Sequence, residues 1–303
     1  MIEDAIVNNW YKDALTDYKG ATLQYHDVAR KIEKLHIMFE SIGLQKGDKV
    51  ALCGRNSSMW ACAFLATLTY GAVAVPIQHE FTPAQVYNVV NHSDARLLFV
   101  GDVVATQLDY EQMPHLEGIV YIPDFSIVLS RSEQITYARE HLNEVFGKKY
   151  PKYFRKEHVH YYNDQEEDLA LINYTSGTTG FSKGVMLPYR ALWSNISFIE
   201  RAIGSKLPKN ANALSILPMA HMYGMACEFL LQFCIGGHTG GHGRDSPMCG
   251  DIRTPHHREN HSQEDIPPHH PKPATAHAHA GHWQESAPAH LRPREARDGR
   301  QRL

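Results

Sequence analysis

Between Ala21 and about Gly236 the apolar positions fall into alternating helical and strand-like segments. Leu35, Met38, Phe39 and Ile42 recur at helical spacing, and Gly43 follows as a C-terminal stop before the turn GLQKGDK. The strand KVALC begins directly after that turn. Met59 to Tyr70 is apolar nearly all round, which predicts a buried helix, and Gly71 separates it from the short strand AVAVPI. A further helix, Pro83 to His92, leads into the strand RLLFV. LALINY at 169–174 is a continuous apolar run of buried-strand length, and LSILPM at 214–219 reads as one more strand. Strands separated by helices of this length predict an α/β fold with a mostly parallel sheet. The stretch from Arg131 to Asp168 is richer in charge and tyrosine and reads as a connecting or peripheral segment.

After Gly237 the pattern stops. The large apolar residues beyond that point are Met248, Ile252, Ile266, Trp283, Leu291 and Leu303, scattered among His, Pro, Arg, Gly and Ala. Such a segment buries too little to offset roughly 1 to 2 kcal/mol of backbone entropy per residue. The expected organisation is therefore a domain over 1–236 and a disordered His/Pro/Arg-rich tail over 237–303.

Composition narrows the function. With 303 residues, 43% of them hydrophobic, the chain can bury a sizeable core. A formal net charge of −3 offers no polycationic surface, so nucleic acid is not an expected partner. Five cysteines without a C-x-x-C pair predict reduced thiols and a cytoplasmic location. No run approaches the roughly 18 apolar residues of a membrane span.

The richest chemistry lies in YTSGTTGFSKGVM, Tyr174 to Met186, directly after LALINY. Gly177, Gly180 and Gly184 permit close backbone approach and positive φ, while Thr175, Ser176, Thr178 and Thr179 add hydroxyls to the backbone N–H groups. Lys183 supplies a mobile cation. Many short donors, little bulk and one positive charge suit a polyphosphate. The spacing is not that of a Walker loop, because Gly180 and Lys183 are separated and Gly184 follows the lysine. A surface loop from Thr175 to Gly184 is expected.

This string resembles the signature loop of the adenylate-forming enzymes, the superfamily of acyl-CoA synthetases, luciferases and peptide-synthetase adenylation domains. LPMAHMYG, Leu217 to Gly224, resembles the family's second motif, in which a histidine followed by an apolar residue and an aromatic sits beside the acyl and adenylate site. On its own His221 would read as a buried structural imidazole; its place after a strand and behind the phosphate loop favours the substrate site. GLQKGDKVALCGRNS and LTYGAVAVPI resemble the upstream strands of the same domain.

The resemblance implies the incomplete large N-terminal domain of an AMP-forming acyl-CoA synthetase of the long-chain fatty acid type. It implies an acid–thiol ligase in which a fatty acid carboxylate attacks the α-phosphate of ATP and CoA then displaces AMP. ATP, Mg²⁺ and CoA are the implied cofactors, with peripheral membrane contact arising through the lipid substrate. Thr175, Ser176, Gly177, Thr178, Thr179, Gly180, Lys183 and Gly184 would hold phosphate, with Lys183 and His221 at the chemistry. His221, Met222, Tyr223 and Gly224 would line the acyl-adenylate pocket. No metal-ligand set is expected.

The family's downstream motifs, a tyrosine-glycine-x-threonine-glutamate, a ribose-binding aspartate and an adenylating lysine, have no counterpart here. The chain alone is therefore expected to be inactive, and the competing function is a non-catalytic nucleotide- or partner-binding fragment. The tail suggests a cause. A CAY codon for His followed by C becomes AYC one nucleotide later, which encodes Ile or Thr. The genetic code then permits P-L-I-I-E-K-I-I-R-K-K-I-F-P across Thr254 to Pro268, an amphipathic string resembling this family at the corresponding place. A frame shift near Gly240 would explain the histidines and the missing motifs together. The rival, a His-rich metal tract using His256, His257, His269, His270, His277, His279 and His282, lacks fixed spacing and a carboxylate partner.

Overall fold

The computed structural model describes residues 1–175, 183–203 and 212–241. The chain begins with helix α1 (Ile2–Asn8), strands β1 (Asp13–Thr16) and β2 (Thr22–Gln24), and the long helix α2 (Tyr25–Ser41). An alternating run follows: β3 (Lys49–Cys53), α3 (Ser58–Tyr70), β4 (Val73–Ile77), α4 (Pro83–His92), β5 (Ala95–Val100), the short α5 (Asp102–Ala105) and β6 (Gly118–Tyr121). Then come β7 (Ile127–Ser130), α6 (Glu133–Lys149), β8 (Leu169–Thr175), β9 (Lys183–Pro188) and α7 (Tyr189–Ile203). β10 (Asn212–Ser215), a π-helical segment over Gly224–Leu230, α8 (Leu231–Cys234) and β11 (His238–Gly241) complete the described chain.

The termini of the predicted elements have local causes. α3 starts where Ser57 Oγ accepts the Trp60 amide at 3.0 Å, and it stops at Gly71, whose φ of +84° is the left-handed conformation a C-cap needs. α4 opens on a capping box, Thr82 with Gln85, with Pro83 at its first position.

Seven strands form one sheet in the order β7-β6-β5-β3-β4-β8-β9. Its five central strands are parallel, and β7 and β9 close the two edges antiparallel. Because side chains alternate along a strand, Val50, Leu52, Leu97 and Phe99 enter one core with α2 and α3. Ala51, Cys53, Leu98 and Val100 enter the other, with α4 and α5. Covered on both faces, the sheet has the α/β architecture expected, and KVALC, RLLFV and LALINY are β3, β5 and β8. Arg96 ties the amino ends of β3, β5 and β6 together, reaching Glu117 at 2.6 and 2.9 Å and Asp48 at 2.5 Å.

Three expectations need correction. The segment after Arg131 is not merely connecting: α6 packs on α2, where Lys149 pairs with the nearly buried Glu33 at 2.8 Å and Tyr150 donates to the same carboxylate at 2.8 Å. LSILPM is a strand only at its beginning, and that strand belongs to a second sheet of order β10-β11-β1-β2. In that sheet β11 pairs in parallel with both β1 and β10, so a described strand lies past the expected limit at 236. Residues 242–303, with the tail's histidines, lie outside the described residues.

Among the described residues Cys53, Cys62, Cys227 and Cys234 are free thiols, and no helix is long and apolar enough to cross a membrane.

Candidate functional site

The carboxyl end of β8 and its return strand β9 form an antiparallel hairpin that pairs Asn173 with Val185, Tyr174 with Gly184 and Thr175 with Lys183. Thr175 and Lys183 are both exposed and, as direct cross-strand partners, project from the same face. A hydroxyl and an ammonium are thus presented side by side at the mouth of the loop. Ser176, Gly177, Thr178, Thr179 and Gly180 lie outside the described residues.

Two features of the hairpin differ from the sequence reading. Thr175, Lys183 and Gly184 are strand residues rather than loop. Gly184 is moreover not among the glycines with positive φ. It is needed for space: a Cβ there would stand 2.8 Å from Ile172 Cγ2 and 3.0 Å from Tyr174 Cζ. The Tyr174 ring fills the place a side chain would occupy, and its phenol pKa is raised by burial and then by Asp94.

The second motif folds as a tight turn against the same strand. Asn173 Nδ2, in β8, donates to the carbonyl of Ala220 at 3.2 Å, and both residues are buried. Asn173 is two residues before Thr175, and Ala220 precedes His221, so one hydrogen bond joins the two sequence motifs. Asn56, just past the carboxyl end of β3, holds the approach to that turn. Its Nδ2 donates to Leu217 O at 2.7 Å and lies 3.3 Å from Ser215 Oγ, while its Oδ1 accepts the Met219 amide at 2.7 Å. Glu228 accepts the amides of Ile216 and Leu217 at 2.8 and 2.9 Å. These bonds consume the donors that a continuing strand would have offered its neighbour, which is why β10 ends at Ser215.

His221 is exposed, not a buried structural imidazole. Its Nδ1 accepts the Tyr223 amide at 3.3 Å, which in a neutral ring leaves the proton on Nε2. Met222 packs on the main core, and Tyr223 is exposed. Gly224 is buried where a Cβ would meet the Pro218 carbonyl oxygen at 2.5 Å, so the helix following His221 approaches the 217–218 backbone as closely as glycine allows. That helix opens in π geometry, with one extra residue in the turn.

Asn56, Asn173 and Glu228 were not singled out from the sequence. Asn173 left one signal, a polar residue inside the apolar run LALINY. Among the described residues no three His, Cys, Asp or Glu side chains gather so as to hold a metal ion. Thr175 and Lys183 suit phosphate oxygens and offer no carboxylate to a cation, so no described residue is assigned to Mg²⁺.

Known proteins resemble this chain in sequence and in fold. A long-chain-fatty-acid–CoA ligase of Salmonella typhimurium is 28% identical over 233 residues, covering 69% of this chain and 40% of that protein. Long chain acyl-CoA synthetase 3 of Arabidopsis thaliana is 26% identical over 214 residues, covering 70% of this chain and 32% of its own length. The chain therefore spans well under half of these relatives. Among solved structures, apo MatB from Rhodopseudomonas palustris superposes with a TM-score of 0.61 at 19% identity, covering 79% of this chain and 44% of that one. The N-terminal domain of FACL13 from Mycobacterium tuberculosis gives 0.62 at 19% identity, covering 80% and 56%. The model of the family described as AMP-binding enzyme matches residues 3–253, most of the chain, and the protein belongs to that family.

Proposed function

We propose that this chain is the N-terminal part of an AMP-forming ligase that activates a long-chain fatty acid as its adenylate and passes the acyl group to CoA. The observation that carries the reading is the Asn173 to Ala220 bond, which brings the Thr175/Lys183 hairpin and the His221 turn to one end of the sheet. Both motifs and Asn56 follow the carboxyl ends of parallel strands, where ligands of open α/β sheets bind.

In the first step a carboxylate oxygen of the fatty acid attacks the α-phosphorus and pyrophosphate leaves; in the second the CoA thiolate attacks the acyl carbon and AMP leaves. Charge accumulates on phosphate oxygens in the first step. Thr175 and Lys183 stabilise it electrostatically, and none of the chain's residues acts as a nucleophile. Ser176 to Gly180 would contribute backbone donors to the same phosphates. His221 would face the acyl-adenylate, donating from Nε2, with Met222, Tyr223 and Gly224 shaping the wall beside it. Mg²⁺, when bound, would arrive on the triphosphate and share its charge.

The 303-residue chain alone is proposed to bind nucleotide without making acyl-CoA, because the adenine, ribose and adenylating motifs implied by the resemblance are missing from its sequence. Equilibrium dialysis with labelled ATP tests the reading. Lys183→Ala should lower ATP affinity by about ten- to a hundredfold, the equivalent of a charge-assisted hydrogen bond of about 1.5 to 3 kcal/mol. Palmitoyl-CoA formation should stay at background. An unchanged ATP affinity would remove Lys183 from the site, and robust ligation would show that catalysis does not need the missing motifs.

A further inference from the structure

Burial only weakly fixes which residue of β9 faces which residue of β8, because Leu187, half-buried against the main core, is the apolar anchor and the residues nearer Lys183 have none. Strand register is normally set by an apolar face, because a slip of one residue turns every side chain over. In β9 the consecutive residues Val185 and Met186 point to opposite faces, yet they are 48% and 65% exposed. Neither face is buried there, and β9 is an edge strand with no second neighbour among the described residues. Lys183 nevertheless has to stand opposite Thr175 for the two to act on one ligand.

The missing constraint is supplied by Tyr174. Its ring lies over Gly184, the one glycine of β9, and its hydroxyl is 2.7 Å from His92 Nδ1 at the last turn of α4. The two rings meet edge to face, with centroids 5.8 Å apart and planes at 89°. A slip of one residue in either direction would set Lys183 or Val185 opposite the ring. The Cβ of either would enter the volume where, at position 184, it would lie 2.8 Å from Ile172 and 3.0 Å from Tyr174. The slip would also carry the Lys183 side chain to the other face of the sheet.

We propose that His92 and Tyr174 form a register clamp, a pair of positioning residues that hold Lys183 opposite Thr175 by keeping the Tyr174 ring seated on Gly184. The proposal rests on the phosphate reading of the hairpin for its purpose, but the clamp itself is a statement about register. His92 is proposed to act only through Tyr174. It orients the phenol, the phenol selects the glycine, and the glycine sets the position of its neighbour Lys183.

Amide exchange of β9 and ATP binding, both measured on the 303-residue chain, test it together. Tyr174→Phe keeps the ring and removes the hydroxyl; His92→Leu removes the partner; His92→Asn restores a polar group near the position of Nδ1. Losing one hydrogen bond should speed exchange over 183–187 by about three- to tenfold, and the double variant should be no faster than either single one. Asn at position 92 should return exchange toward the wild-type rate. His92→Leu should lower ATP affinity by a similar factor, and should cause no further loss in a Lys183→Ala background.

Unchanged exchange in both single variants, or no recovery with Asn, would overturn the clamp. Equal losses of ATP affinity with and without Lys183 would also overturn it, since His92 would then act on stability at large. A wild-type chain that does not bind ATP would refute the phosphate reading instead, and the clamp would be decided by exchange and rescue.

Discussion

The bond between Asn173 and Ala220 is the link on which the site's assembly depends, and replacing Asn173 by Asp and by Ala isolates it. Asn173 is 7% exposed and Ala220 4%, so neither the amide nor the carbonyl has ready access to solvent. Ala at 173 removes the donor. That forfeits a net bond of about 1 kcal/mol and leaves a buried acceptor unsatisfied at about 1 to 3 kcal/mol. Asp is nearly isosteric but turns an oxygen, not an N–H, toward the Ala220 carbonyl, and a buried carboxylate without a partner adds its own desolvation. The expected order of stability is wild type, then Ala, then Asp. A loss of about 2 to 4 kcal/mol in a domain of this size lowers Tm by about 4 to 16 °C. Thermal melts followed by tryptophan fluorescence give that number. Amide exchange over 217–224 gives the location, and it should accelerate there while the α2 and α3 amides stay protected. An Asp variant as stable as wild type, or exchange that rises uniformly, would mean that the two motifs are held together by something other than this bond.

Two further outcomes follow from burial. His36, against Ala66 O and Thr69 Oγ1, has its pKa lowered to about 4, by burial first, with Glu33 opposing. The unfolded imidazole takes a proton near pH 6.5 and the folded one does not until about pH 4, so stability is constant above about 7 and falls through that window, by about 3 kcal/mol in all. His36→Gln should flatten this part of the profile in urea melts at stepped pH, and an equally steep profile in the variant would assign the dependence elsewhere. Apart from Met1 and tyrosines, every large apolar side chain that is exposed among the described residues lies between Val185 and Ile235. Replacing Met186 and Ile216, 65% and 67% exposed, by Lys should raise the onset temperature of light scattering, and an unchanged onset would show that aggregation starts at another surface.

The sequence by itself determined the central layer. β3 was legible to the residue because KVALC is an uninterrupted apolar strand between a glycine turn and a helix cap, and α4 because Thr82, Pro83 and Gln85 mark its start. These signals are local, carried within one turn of the element they define. The motif residues Thr175, Lys183 and His221 were legible for the same reason, as contiguous strings. Other elements left no such trace. α6 fully buries only Ile135 and Ala138, with Leu142 and Phe146 half-buried against the main core, a thin stripe that the charged and polar residues between them hide over seventeen helical residues. β10 looked longer than it is because the side chains of Asn56 and Glu228, remote in sequence, take the backbone amides that would have continued it. β11 sits between β10 and β1, and pairs Thr239 with Leu15 across nearly the whole described chain. The role of Gly184 was misjudged on the sequence, where a glycine beside a phosphate loop suggests backbone freedom. Only the fold places the Tyr174 ring opposite it, because cross-strand neighbours are chosen by pairing geometry, on which the order of residues within either strand is silent.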